Sequence, residues 1–324
     1  MSEQMKILIA YDGSDCANAA LEDLQRAGLP RVVEALIMSV ADVFLPPSSS
    51  PEPALPAEVS VAVQRAWAQA THAVDEARAL AQHARTHLLT FFPAWDVRAE
   101  ACADSPAWAV VKKAEAWQPD LIVVGSHGRS ALGRLWLGSV SQKILTEARG
   151  SVRVGRSHRQ TNEAPVRLLI GVDSSPDAAA AVRTVAAREW PAGSAVRLVT
   201  ALDARMSTAL AFMRLSGQTG TEMSEADESA WMSRTIDAMA APLHKRGLAV
   251  SSMISAGDPK HVLLDEAEHW GADCLFVGAR GLSRVERSLL GSVSAAVAAR
   301  AHCSVEVVRP AMASLGIGEQ QGRE

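Results

Sequence analysis

The chain is written twice. Lys6-Ile7-Leu8-Ile9-Ala10-Tyr11-Asp12-Gly13-Ser14 recurs as Arg167-Leu168-Leu169-Ile170-Gly171-Val172-Asp173-Ser174-Ser175, 161 positions on, and Asp120-Leu121-Ile122-Val123-Val124-Gly125 recurs as Asp273-Cys274-Leu275-Phe276-Val277-Gly278, 153 positions on. A repeat of this period means one folding problem solved twice, and 324 residues suffice for two separate cores. The eight-residue difference falls between these two segments. The sequence places it in the connection after the second strand, where the first copy carries the Pro/Ser-rich stretch Pro46 to Pro56 and the second a polar stretch around Ser216 to Ser224. Surface connections tolerate such changes.

Each copy alternates short apolar runs rich in Val and Ile with segments of helical spacing such as Ala17, Ala20, Leu21 and Leu24. In the first copy strands are expected near 6–11, 32–40, 96–102, 120–125 and 151–155. A long helix is expected from Glu58 to Leu89, with Val59, Val63, Trp67, Ala70 and Val74 on its apolar face. Alternation of this kind builds a doubly wound α/β domain, a parallel sheet covered by helices on both faces. The expected division is one domain over 1–156, a polar linker over 157–165, a second domain over 166–310, and a frayed tail over 311–324.

A net charge of −4 provides no broad basic field for a phosphate backbone, which argues against nucleic acid as a general partner. The four cysteines, Cys16, Cys102, Cys274 and Cys303, form no C-x-x-C pair, so they read as buried reduced thiols rather than as a metal site or disulfide framework. The strand-like run Ile7 to Ala10 begins too early to leave room for a signal peptide, and no stretch of ~18 apolar residues spans a membrane. A cytoplasmic protein without membrane attachment is the expectation.

The strongest chemical signal follows the fourth strand of each copy. Gly125-Ser-His-Gly128 is followed by nine residues and Gly138-Ser139, and Gly278-Ala-Arg-Gly281 by nine residues and Gly291-Ser292. Glycines at a strand exit let a backbone approach a ligand, and a helix opening at the second half offers free N–H groups and a positive dipole end to a phosphate. Ser139-Val140-Ser141-Gln142 fits a capping box at that opening. Arg129 and Arg134, with Arg280, Arg284 and Arg287, lie in the loops where they either face phosphates or stand as solvated charges.

The two Gly-x-x-Gly-x9-Gly-Ser motifs, with Asp12 and Asp173 ending the first strand of each copy, resemble the ATP-binding branch of the universal stress protein family over about residues 5–156 and 166–309. The resemblance implies an adenine nucleotide alpha hydrolase-like sheet of five parallel strands in the order 3-2-1-4-5, with nucleotide held where the first and fourth strands diverge. It implies further that Asp12 and Asp173 lie near adenosine and Val40, with Ala201 as its smaller counterpart, near the base. Gly125, Gly128, Gly138 and Ser139, with Gly278, Gly281, Gly291 and Ser292, would line ribose and phosphates. ATP, with or without magnesium, is the implied ligand.

Alternatives stay open at this stage. Asp12 and Asp173 also suit helix caps, and the glycine loops suit plain structural turns. The first copy has Asp104-Ser105-Pro106 where members commonly have Gly-x-Pro, as the second does in Gly257-Asp258-Pro259; Ser174 replaces Gly13 in the second copy. Either one or both copies bind. No Gly-Lys-Ser/Thr of a P-loop and no nucleophile motif is present, so no catalytic residue and no protein metal site is assigned. His127, inside the first loop, touches a phosphate, acts as a base, or does neither. The ranking places an ATP-binding stress or signalling protein first, a slow ATP hydrolase second and a nucleotide-free scaffold third. Val152 and Val154, like Val305 and Val307, mark closing edge strands that invite pairing of the two copies as an intramolecular pseudo-dimer, with two chains able to form a homodimer. Trp117 and Trp270, at equivalent helix ends, read as packing residues.

Overall fold

The computed structural model describes residues 4–43, 57–128, 137–157, 163–202, 225–281 and 290–310. The expectations for Pro46 to Pro56, for Ser216 to Ser224, for Arg129, Arg134, Arg284 and Arg287, and for the tail over 311–324 lie outside them. The first copy runs β1 (Met5–Ala10), α1 (Asp15–Asp23), a single 3-10 turn (Leu24–Arg26), β2 (Val33–Ala41), α2 (Ala57–Phe91), β3 (Asp96–Ala103), α3 (Pro106–Trp117), β4 (Leu121–Gly125), α4 (Ser139–Glu147) and β5 (Ser151–Gly155). The second runs β6 (Arg167–Gly171), α5 (Pro176–Ala187), β7 (Ala195–Leu202), α6 (Glu225–His244), β8 (Ala249–Ala256), α7 (Pro259–Trp270), β9 (Cys274–Gly278), α8 (Ser292–Arg300) and β10 (Ser304–Val308).

All ten strands join one sheet in the order β3-β2-β1-β4-β5-β10-β9-β6-β7-β8. Each half therefore follows 3-2-1-4-5 in its own numbering, and every pairing within a half is parallel. Among the described residues the one antiparallel contact joins the halves, with Val305 opposite Val154, Glu306 opposite Arg153 and Val307 opposite Val152. Buried on both faces, the central strands are apolar runs rather than alternating ones, as a parallel sheet requires: all five residues of β4 are buried.

Helices α3, α4, α7 and α8 cover one face of the sheet through a continuous core that crosses the junction, from Leu8 and Leu36 through Ile144 and Val152 to Val297 and Val305. On the other face each half keeps its own core. In the first half α1 and α2 pack Leu21, Ala84 and Leu88 on Ile7 and Ile9; in the second α5 and α6 pack Val185, Ile236 and Leu243 on Leu168 and Ile170.

The apolar face of α2 needs correction. Ala70, Ala77, Ala81, Ala84 and Leu88 are buried while Val63 is 41% exposed, and the side chain of Val59 is outside the described residues. The i, i+3/i+4 rhythm makes a helix, and among its described side chains the buried ones lie from Ala70 onward. Trp117 and Trp270 pack partly buried against the shared core, each beneath a cationic side chain, Lys6 and Arg98 over the first and Arg197 over the second. Of the cysteines only Cys274 is buried, and the other three are half-buried, which corrects the expectation of four buried thiols; all four are free.

Candidate functional site

In each half the first strand lies between the second and the fourth, so the chain leaves β1 and β4, and β6 and β9, toward opposite faces of the sheet. The crevice at their carboxyl ends is where such a sheet admits a ligand. Asp12 stands there, just past β1. Its Oδ1 accepts from the Ser14 N–H at 3.0 Å, closing a turn that holds Gly13 at a φ of 78°. Asp173 does the same with the Ser175 N–H at 3.1 Å, and there Ser174 is forced to a φ of 63°. A side chain in the left-handed region is strained where glycine is not.

The helix caps are Ser14 and Ser175, which overturns the alternative that the two aspartates serve as caps. Each seryl Oγ accepts from the N–H of the third residue of its helix, Ala17 at 3.2 Å and Ala178 at 3.1 Å, and donates across to the glycine loop, to the His127 carbonyl and the Arg280 carbonyl, each at 3.3 Å. One residue thus fixes both the helix start and the distance from the aspartate turn to the loop.

The three glycines of each motif have different reasons to be glycine. A Cβ on Gly125 would fall 2.8 Å from the Cys16 backbone, and one on Gly278 2.7 Å from Asp177, so the first glycine lets the strand exit pass under the opposing helix. A Cβ on Gly128 would fall 2.9 Å from Asp12 Oδ2, and one on Gly281 2.5 Å from Asp173 Oδ2. The second glycine therefore leaves the space beside the carboxylate open. The third lies where the loop folds back on the strand exit, the Gly138 N–H donating to the Ser126 carbonyl at 2.8 Å and the Gly291 N–H to the Ala279 carbonyl at 2.7 Å, and a Cβ would crowd that contact, 3.3 Å from the His127 Cα in the first copy and 3.2 Å from the Ala279 carbonyl in the second.

Gly138 and Gly291 are themselves the N-cap residues of α4 and α8, and neither helix has a side-chain cap. The capping box read from Ser139 to Gln142 is thereby corrected. Ser141 turns its hydroxyl to the Gly125 carbonyl at 2.7 Å, and Ser294 to the Gly278 carbonyl at 2.8 Å, tying helix to strand. Among the described residues no side chain accepts from the first-turn N–H groups, the condition in which a helix N-terminus attracts an anion. Ser139 and Ser292, in the first turn, are exposed. Val40 and Ala201 sit near the carboxyl ends of β2 and β7, partly buried, one strand over from the aspartates.

The two sites differ at one corner. In the first, His127 Nδ1 lies 3.1 Å from Ser126 Oγ, while Nε2 is buried with no hydrogen-bond partner among the described residues. Burial, and then the nearby Arg156 guanidinium, lower its pKa from the ordinary 6.5, so at neutral pH the ring is uncharged. Its counterpart Arg280 is held at Nε, 3.3 Å, and at its backbone N–H, 3.1 Å, by Asp177, a buried carboxylate where the first copy has Cys16. Asp104 folds back on the Ser105 N–H at 2.7 Å and leaves the cap position of α3 to Ser105, whereas Asp258 caps α7 through the Lys260 N–H at 2.9 Å. Among the described residues no group of three or more His, Cys, Asp or Glu side chains is placed to hold a metal ion.

The structure brings Asp12, Gly125, Gly128 and Gly138 to one crevice, with Asp173, Gly278, Gly281 and Gly291 in the other. Sequence reasoning missed Ser14, Ser175, Ser141 and Ser294, although each pair recurs at equivalent positions of the repeat, the signal that would have found them.

Comparison with known proteins gives the same picture for the whole chain. The model of the universal stress protein family matches residues 4–156 and 166–309. A universal stress protein of Mycolicibacterium smegmatis is 31% identical over 251 residues, 74% of this chain and 77% of the relative. The crystal structure of a universal stress protein from Archaeoglobus fulgidus superposes over 94% of this chain and 98% of its own, at 19% identity and a TM-score of 0.60, a likeness of fold. A universal stress protein family protein from Arabidopsis thaliana, solved with AMP bound, matches 46% of this chain and 94% of its own, at 19% identity and a TM-score of 0.31. With two matched segments that take in nearly all of its length, the chain belongs to the universal stress protein family, as a tandem member with two copies of the domain.

Proposed function

We propose that the chain is an adenine-nucleotide-binding protein of the stress response, in which occupancy of the glycine loops by ATP, with or without magnesium, changes its conformation or its choice of partner. The observation that carries this reading is the repeated juxtaposition of Asp12 with Gly128, and of Asp173 with Gly281, opposite a helix N-terminus that no side chain caps. A carboxylate can accept from ribose hydroxyls, the open space beside it admits the sugar, and the first-turn amides with Ser139 or Ser292 suit phosphate oxygens. Binding and sensing are favoured over turnover because neither loop carries the lysine of a P-loop. The cytoplasm is the proposed compartment; no helix among the described residues is long and apolar enough to cross a membrane.

Calorimetric titration of nucleotide-stripped protein with ATP, in the presence and absence of magnesium and beside AMP, tests the reading. One or two molecules bound per chain, lost in a Gly138→Val/Gly291→Val double variant, is the expected result. A folded wild-type protein that releases no heat at two temperatures overturns it in favour of a nucleotide-free scaffold. Magnesium-dependent phosphate release above the level of the double variant would favour the slow hydrolase.

A further inference from the structure

The junction between the copies is built on an approximate two-fold axis, and part of it obeys that symmetry. Arg156 donates from the first copy to the carbonyls of Ala298 and Cys303 at 2.6 and 3.1 Å; its counterpart Arg309 donates from the second to Leu145 and Gly150 at 2.6 and 3.0 Å. The Arg156 N–H donates to Ser304 Oγ at 2.9 Å, and the Arg309 N–H to Ser151 Oγ at 3.1 Å. Two identical copies could make every one of these bonds.

The centre does not obey the symmetry. Arg153 and Glu306 occupy equivalent positions of the repeat and face each other across the axis, Nη1 to Oε2 at 3.1 Å, both fully buried. Arg153 also holds Asp23 at 2.6 Å, and Glu306 also holds Arg188 at 2.8 Å, so a buried line runs Asp23, Arg153, Glu306, Arg188 with alternating sign. Each copy brings one acid and one base, so total charge does not decide who pairs with whom. Order does. Two first copies would place Arg153 against Arg153, and two second copies Glu306 against Glu306, each with like charges adjacent where no water screens them.

Shape adds a second, independent restriction. A Cβ on Gly28 would lie 2.9 Å from the Glu189 carbonyl and 3.0 Å from the Trp190 ring of the other copy. The position equivalent to Gly28 in the second copy is Glu189, which donates its N–H to the Gly28 carbonyl. Two second copies would therefore drive Glu189 into the partner's Trp190.

We propose that β5 and β10 form a heterotypic recognition surface, on which the alternating charges select the second copy as partner of the first and disfavour pairing of like copies. The test starts from the folded full chain, with a protease site placed within residues 158–162. After cleavage the halves are separated in denaturant, returned to native buffer together, and their pairs counted by native mass spectrometry. The ratio of mixed to like pairs is expected to stand about tenfold or more above the statistical one-to-one, as a difference of 1.4 kcal/mol produces. A statistical mixture of mixed and like pairs overturns the proposal. In a fourfold apolar variant, Asp23→Leu, Arg153→Met, Arg188→Met and Glu306→Leu, pairs of two first copies should appear, while pairs of two second copies stay excluded by Glu189 and Trp190. An undiminished preference for the mixed pair over two first copies would show that the charges do not select. The wild-type count stands as a test by itself if the variant does not refold.

Discussion

The glycine loops and the β5–β10 junction are the two places where each copy meets something other than its own core, and they have diverged in opposite ways. At the loops equivalent positions kept the same residues, Asp12 with Asp173, Ser14 with Ser175, Ser141 with Ser294 and all three glycines. At the centre of the junction equivalent positions became complements, Arg153 with Glu306, Ala27 with Arg188 and Gly28 with Glu189, while around it Arg156 with Arg309 and Ser151 with Ser304 stayed the same. The difference is geometric. Each loop closes its own crevice and faces the same steric demands in either half, whereas junction residues face one another, so a change on one side can be answered on the other.

Charge reversal at the centre should break this comparison most strongly. Arg153→Glu would bury a carboxylate between Asp23 and Glu306, and a loss of about 3–5 kcal/mol in denaturant unfolding is expected, with nucleotide affinity of the remaining folded protein unchanged. An altered affinity would mean that junction and loops do not act separately.

Acid should act on the junction. Burial alone would raise the Glu306 carboxyl, but Arg188 and Arg153 outweigh it and hold its pKa below the ordinary 4.5. A folded-state pKa below the unfolded value means that the stabilisation is fully present above pH 4.5 and is lost as pH falls through the lower folded value. Glu306→Gln should therefore be less stable at neutral pH and flatter below pH 4.5 than the wild type, as followed by unfolding at a series of pH values.

Smaller effects sharpen the loop side. Gly128→Ala and Gly281→Ala put a methyl group against the aspartate carboxylates, and each should weaken nucleotide binding in its own copy by about tenfold, ~1.4 kcal/mol, with little change in Tm. Comparing the two by titration counts the competent sites. Ser174→Gly should make the second aspartate turn resemble the first and stabilise the protein by about 0.5 kcal/mol, the relief of left-handed strain less the entropy that glycine loses, measured by denaturant midpoint.

Much of the site was legible before any coordinates. The strands expected near 32–40, 96–102 and 151–155 form at 33–41, 96–103 and 151–155, and the aspartates and glycines lie at the strand ends where the motif put them. What failed did so for identifiable reasons. Ser139 to Gln142 reads as a capping box because that pattern is local, but Ser141 bonds to Gly125, sixteen residues back, across a strand-to-helix contact that local sequence does not encode. Arg153 and Glu306, between the valines of the closing strands, drew no reading from the sequence. They are buried because β5 and β10 each supply the other's missing neighbour.

The sequence by itself determined the repeat, the alternation of strand and helix in each copy, and the glycine spacing that opens two crevices, because periodicity and backbone freedom act over a few residues. Only the tertiary structure decided which seryl hydroxyls cap and which tie, how much of α2 is covered, and that four charged side chains line up in the dark between the copies. Burial belongs to surfaces brought together over long separations in the chain, and the sign of a neighbour 153 residues away cannot be read from the residues on either side.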